Sequence, residues 1–159
     1  MKPLETIDFN IRWAWARISR IYNAEAQKHQ GTMSIGYVLL NIEKEGTPST
    51  KLGPKMGMES RSLTRTLKSM EEAGLIERKK DTSDKRLVRV FLTEEGKRQR
   101  ELSRKVVITF NDYVHRRIDA KRLNIFLDVF GELNDILDNE NIFETESNPH
   151  IHPSNHEKH

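Results

Sequence analysis

The stretch from Ser60 to Val90 constrains the fold more than any other part of the chain. Leu63, Leu67 and Met70 are spaced by four and then three, which predicts a helix from about Glu59 or Ser60 to Ala73 with one apolar face. Ser60, Arg61, Ser62, Thr64, Arg65 and Lys68 fall on the opposite, polar face. Gly74 closes that helix. Leu75–Lys79 and Leu87–Leu92 then read as strands paired across the charged tip Lys80–Arg86, with Arg89 facing opposite to Val88 and Val90. A cationic helix followed by a basic-tipped hairpin is the outline of a winged helix-turn-helix, which sets a helix in the DNA major groove and a loop beside it.

Charge supports that outline. The net charge of +3 conceals segments of +1 (residues 1–50), +7 (51–105) and −5 (106–159). A basic middle held between neutral and acidic parts suits a polyanion-binding element in a scaffold, although charge alone fits a merely solvated basic surface equally well. With 32% charged residues and no cysteine, thiolate chemistry, cysteine-ligated zinc and disulfides are excluded. No run reaches the roughly 18 apolar residues of a membrane span. Glu5 and Asp8 break up the N-terminal apolar residues, unlike a secretory signal, and a cytoplasmic address is the expectation.

The expected class is mainly α with a small β-wing (α+β): a winged helix-turn-helix head at about 34–93, with dimerisation helices at about 4–28 and 97–138. Together these make one domain over 1–143, followed by a disordered tail at 144–159. Ile7, Ile11, Ala14, Ile18 and Ile21 give the first helix its stripe, widened by Trp15 and Tyr22, while Trp13 lies on another face. Ser34 is a plausible N-cap for a second helix carrying Ile35, Val38, Leu39 and Ile42, with Gly46 ending it. Thr47-Pro48 reads as the start of a short helix with proline at its first position, which Gly53 and Pro54 weaken. Thr93 caps a helix carrying Leu102, Val106, Phe110 and Val114, and a last helix carries Leu123, Phe126 or Leu127, Phe130, Leu133 and Leu137. One small winged head cannot cover the stripes of the first and last two helices, so a second copy of the chain is the expected partner.

Gly74-Leu75-Ile76-Glu77-Arg78, Asp81-Thr82-Ser83-Asp84-Lys85-Arg86 and Leu92-Thr93-Glu94-Glu95-Gly96 occur in this order. They resemble the Gly-Leu-apolar-x-Arg run, the Asp-x-Arg wing and the Leu-Thr-x-x-Gly helix entry of the MarR (multiple antibiotic resistance regulator) family. The resemblance extends from about Leu4 to Leu137. It implies a homodimeric regulator that binds a palindromic operator, usually represses, and releases DNA when a small aromatic or anionic ligand enters a cleft. Two positions depart from the pattern: Pro54 stands where a helix former is usual, and Glu59 where a smaller N-cap is commoner, leaving Ser60 as an alternative cap.

The candidate DNA contacts follow from chemistry. Arg61 and Arg65, one turn apart, each offer a fork to guanine O6 and N7. Ser60 lies at the base-facing N-terminus, while Ser62, Thr64 and Lys68 suit phosphates. At the wing, Lys85 or Arg86 should reach the minor groove or its phosphates, and the family's Asp-x-Arg implies that Asp84 orients Arg86. Arg12, Trp13, Trp15, Arg17 and Tyr37 are candidates for an aromatic, cationic effector pocket, though such aromatics more often belong to a core. His29 and His115 stand alone. His150, His152, His156 and His159 offer loose metal ligation but no preorganised site, so neither metal nor cofactor is expected. No nucleophile and base pair supports an enzyme. A winged-helix protein–protein adaptor remains the alternative to a DNA-binding regulator.

Overall fold

The computed structural model describes residues 2–139 together with Asn141 and Ile142. The expected tail and its four histidines lie outside the described residues. After a single 3-10 turn at Pro3–Glu5, the order is α1 (Ile7–Gln27), α2 (Met33–Asn41), β1 (Thr47–Pro48), α3 (Ser49–Met56), α4 (Ser60–Glu72), β2 (Ile76–Lys80), β3 (Val88–Leu92), α5 (Glu94–His115) and α6 (Ala120–Asn139). The chain divides into a first compact unit up to Phe110 and a second from Asn111.

Within the first unit, α2, α3, α4, β2 and β3 contribute to one core. Val38, Leu39 and Ile42 come from α2 and the residue that caps it, Leu52 from α3, and Leu63, Leu67 and Met70 from α4. Leu75, Ile76 and Val90 close it from the strand side. The four-three spacing read in α4 is therefore the spacing of its buried face, and the cationic residues are left outside. Burying a side chain of this size stabilises by roughly 1.5–3 kcal/mol, which exceeds the weak helix propensity of a short, Gly/Pro-containing segment such as α3. Pro54 sits exposed inside α3, near its C-terminal end. Lacking an N–H, it forfeits the bond to the Thr50 carbonyl, a single bond of the helix ladder.

The sheet is antiparallel with order β1-β3-β2. Ile76 pairs with Leu92 and Lys80 with Val88, which sets the wing's register, while Thr47 pairs with Val90 and Pro48 with Arg89. Thr47-Pro48 is thus a strand rather than the opening of a helix, and Pro48 is the residue before α3 rather than within it. Two further expectations are corrected. Thr32, not Ser34, caps α2, its Oγ1 accepting from the Ile35 N–H at 3.2 Å. α2 ends at Asn41, and Gly46 lies beyond it at φ +77°, where a Cβ would strike the Phe91 ring.

The Leu-Thr-x-x-Gly entry to α5 has a physical basis. Thr93 Oγ1 accepts from the Gly96 N–H at 3.0 Å and donates to the Gly74 carbonyl at 2.6 Å. A Cβ on Gly96 would stand 1.9 Å from the Leu75 carbonyl oxygen, so only glycine lets the helix start against that backbone. α1 meets α2 where the Met33 N–H donates to Asn23 Oδ1 at 3.0 Å, and meets α5 where Tyr22 sets its ring edge-on to Phe110. In the second unit α6 buries none of its residues, and Phe126 packs beside Phe130 with centroids 4.9 Å apart.

Candidate nucleic-acid interface

α3 and α4 are joined by a turn at Gly57, a left-handed residue, and Gly53 approaches the Met58 carbonyl and Leu63 closely enough that a Cβ would crowd them. This close approach fixes the start of α4. Glu59 is its N-cap and Ser60 its first residue, and no side chain caps it, so neither alternative read from the sequence supplies a cap bond. The first N–H groups of α4 are left open at the end that carries Ser60 and Arg61, where a helix favours an anion.

On the outer face Ser60, Arg61, Thr64, Arg65 and Lys68 are exposed and Ser62 is half-buried. Thr64 Oγ1 donates to the Ser60 carbonyl at 2.8 Å, which ties the hydroxyl to its own helix. Lys68 faces Glu72 at 3.8 Å across one turn, an exposed pair worth about 0.3–0.5 kcal/mol. Arg61 and Arg65 have no ion-pair partner among the described residues. Arg78, the arginine after Gly-Leu-Ile-Glu, instead ties β2 to α4 through Glu71 at 3.1 Å.

The wing turn is organised by two aspartates. Asp81 is 4% exposed. Its Oδ1 accepts from the Ser83 N–H (2.8 Å), the Ser83 hydroxyl (2.5 Å) and the Asp84 N–H (3.0 Å). Its Oδ2 accepts from Arg89 Nε, and Arg89 Nη1 reaches the Gly46 carbonyl at 2.8 Å. These bonds, the Ser83 hydroxyl first and Arg89 next, hold the Asp81 carboxyl far below the ordinary carboxylate range. The anchor therefore fastens the base of the wing to the loop before β1. Asp84 lies at the tip and takes Arg86 in a two-point grip, Nε to Oδ1 at 3.1 Å and Nη2 to Oδ2 at 3.2 Å, with the Arg86 N–H on Oδ1 at 3.0 Å. The Arg86 side chain is 90% exposed even so. The same contacts depress the Asp84 carboxyl, keeping it ionised. Lys85 is exposed beside it.

Sequence reading found the Asp84–Arg86 pair but missed Asp81 and Arg89. Arg89 announced itself only as a charge alternating with Val88 and Val90, and its acceptor at Gly46 is 43 positions away.

The effector candidates are dispersed. Trp13 stacks on Phe9 at 6.1 Å with Arg17 5.1 Å from its centroid, on an exposed face of α1. Arg12 is exposed, and Trp15 tilts against Tyr37 at 6.1 Å. Of these five, Tyr37 lines a cavity of about 560 Å³, open mouth included, between α1, α2 and α5. The wall also includes Tyr22, His29, Gln99 and Ser103, which sequence reading did not bring together.

Comparison with known proteins bears on both regions. Residues 37–88 match the MarR family model. The regulator TtmR of Methylorubrum extorquens is 34% identical over 79 residues, covering 49% of this chain and 40% of that protein. Matched stretches span only 40–54% of the lengths of TtmR and three other curated relatives, all regulators. Among solved structures, the S. aureus MepR–DNA complex superposes with a TM-score of 0.75 at 14% identity, covering 82% of this chain and 97% of that one. CouR from Rhodococcus jostii RHA1, bound to p-coumaroyl-CoA, gives 0.72 at 20% identity, covering 84% and 94%. At such identities the structures speak for the fold alone. The family match, in contrast, spans the buried face of α4, the Gly-Leu-Ile-Glu-Arg run and the wing turn with both aspartates. Over residues 37–88, then, the chain is similar to the MarR family, and the architecture around that stretch is a winged helix-turn-helix fold.

Proposed function

We propose that the protein is a DNA-binding transcriptional regulator, a homodimeric repressor that sets α4 of each copy in the major groove of a pseudo-palindromic operator. The observation that carries this reading is the outer face of α4, where Arg61 and Arg65 stand exposed with no ion-pair partner among the described residues. An arginine fork left open at the N-terminal half of a recognition helix suits guanine. Arg86, aimed by Asp84, and Lys85 suit the neighbouring minor groove. Ser60 lies at the base-facing end, while Ser62, Thr64 and Lys68 serve the phosphates and fix the register. Half-site centres lie about one helical turn, roughly 10 bp, apart. A small ligand entering the cavity between α1, α2 and α5 releases the DNA, as the family resemblance implies. The CouR complex with p-coumaroyl-CoA shows that a relative of this fold accommodates a ligand.

Selection of bound fragments from genomic DNA, followed by affinity measurements on the selected site and on random duplex, tests the assignment. Arg65→Ala is expected to lose about 1–3 kcal/mol of discrimination at one base position, whereas Lys68→Ala weakens all sequences alike and flattens the salt dependence. Equal losses on both duplexes for both variants would reject the base-reading role of Arg65. A protein that binds no duplex with steep salt dependence would be an adaptor.

A further inference from the structure

The wall of the cavity between α1, α2 and α5 is built mainly from hydrocarbon: Leu39, Leu40, Leu102, Val106 and Val107 line it together with Ile35. Besides Glu25 and His29, its polar side chains are hydroxyls and the Gln99 amide. Tyr22 and Tyr37 both line it, and burial raises both phenols above their ordinary pKa, Tyr22 being raised further by Tyr37. They remain neutral donors near pH 7. The Ser103 hydroxyl is committed to the Gln99 carbonyl at 3.0 Å. No lysine or arginine among the described residues lines the space, and its one carboxylate is Glu25. Glu25 is already matched by Lys28 at 2.6 Å, and Lys28 lies outside the lining. Arg12 and Arg17, the cations expected to receive an anion, are not part of the wall.

An anion entering such a space loses its hydration and gains no cation in return, at a cost that an uncharged molecule escapes. We propose that this cavity takes an uncharged, mostly hydrocarbon small molecule bearing one hydrogen-bonding group, held by the Tyr22 and Tyr37 hydroxyls, and that it discriminates against carboxylates. The proposal rests on the ligand-released regulator described above and, of the aromatic or anionic ligands expected from the sequence, keeps the uncharged kind and rejects the anionic one.

The matched pair 2-naphthol and 2-naphthoate tests it, by calorimetry on the full chain without DNA at pH 7.5. The naphthol should bind at least about tenfold more tightly, a difference of about 1.4 kcal/mol. Gln99→Arg, which places a guanidinium in the wall, should shift the ratio toward naphthoate by about tenfold. Tyr37→Phe should weaken the naphthol several-fold and leave naphthoate unchanged. A His29→Gln protein should keep the wild-type preference, which separates the imidazole from the effect. Equal or tighter binding of naphthoate by the wild type would overturn the proposal, as would failure of both compounds to bind at millimolar concentration. Undiminished naphthol binding in a folded Val106→Trp protein, or in Tyr37→Phe should Val106→Trp not fold, would place the site elsewhere and also overturn it. A naphthol that binds as described yet leaves the DNA complex intact would refute ligand release and not the ligand class.

Discussion

At the wing tip an acidic residue stands where a polyanion is expected, and the geometry gives it a purpose. Asp84 grips Arg86 through Nε and Nη2, so the guanidinium is held while its side chain stays 90% exposed. If aiming matters, Asp84→Ala should weaken operator binding by about two- to tenfold, although it removes a negative charge; point-charge reasoning predicts the opposite sign. Arg86→Ala should be at least as damaging, and the double variant little worse than Arg86→Ala, because the two act as a unit. Thermal melting run in parallel separates aiming from a role in holding the hairpin together. Tighter operator binding by a well-folded Asp84→Ala protein would leave Asp84 as an ordinary turn residue. This pair was legible in the sequence through its resemblance to the family's Asp-x-Arg. Asp81 and Arg89 were not, because what distinguishes Asp81 is burial and what distinguishes Arg89 is an acceptor on a distant loop.

Between elements, the most demanding contact is the one at Gly96. A Cβ there would lie 1.9 Å from a backbone oxygen, and backbone cannot swing aside as a side-chain tip does. Gly96→Ala should therefore lower stability by about 2 kcal/mol or more in urea unfolding, despite alanine's better helix propensity. A stabilised variant would show that α5 starts elsewhere. The apolar periodicities of α1, α4, α5 and α6 and the β2–β3 hairpin were readable in the sequence because each is a local pattern. β1 was not, since two residues display no alternation and its partners Val90 and Arg89 lie more than 40 positions away. A proline after threonine is as natural before a helix as within it, so the local signal for Thr47-Pro48 was ambiguous. The side chain of Thr47 settles the matter in space: it is buried, and its Oγ1 accepts from the Glu43 N–H at 2.9 Å.

On the scale of the whole molecule, apolar surface is distributed in a way that a single chain leaves unexplained. α1 in the first unit exposes Ile7 (65%) and Ile21 (51%), and α6 in the second exposes Phe126 (55%), Leu127 (59%) and Leu137 (57%). Exposed apolar residues gathered on the helices outside the winged head, and not scattered over it, fit an interface between copies. Two linked heads would also bind an operator far more tightly than either alone, by a factor that reaches about 10² to 10⁴ when the spacing matches. The proposed dimer can be tested without disturbing the core, because Leu127 and Leu137 are more than half exposed within the chain. Leu127→Asp and Leu137→Asp should each leave a folded winged head, yet convert a wild-type dimer at micromolar concentration into a monomer by sedimentation. Operator affinity should fall by at least about tenfold, while binding to an isolated half-site changes little. A wild-type protein that sediments as a monomer would refute the dimer itself. Variants that stay dimeric with unaltered affinity would move the interface away from α6 and leave its exposed apolar face to another partner.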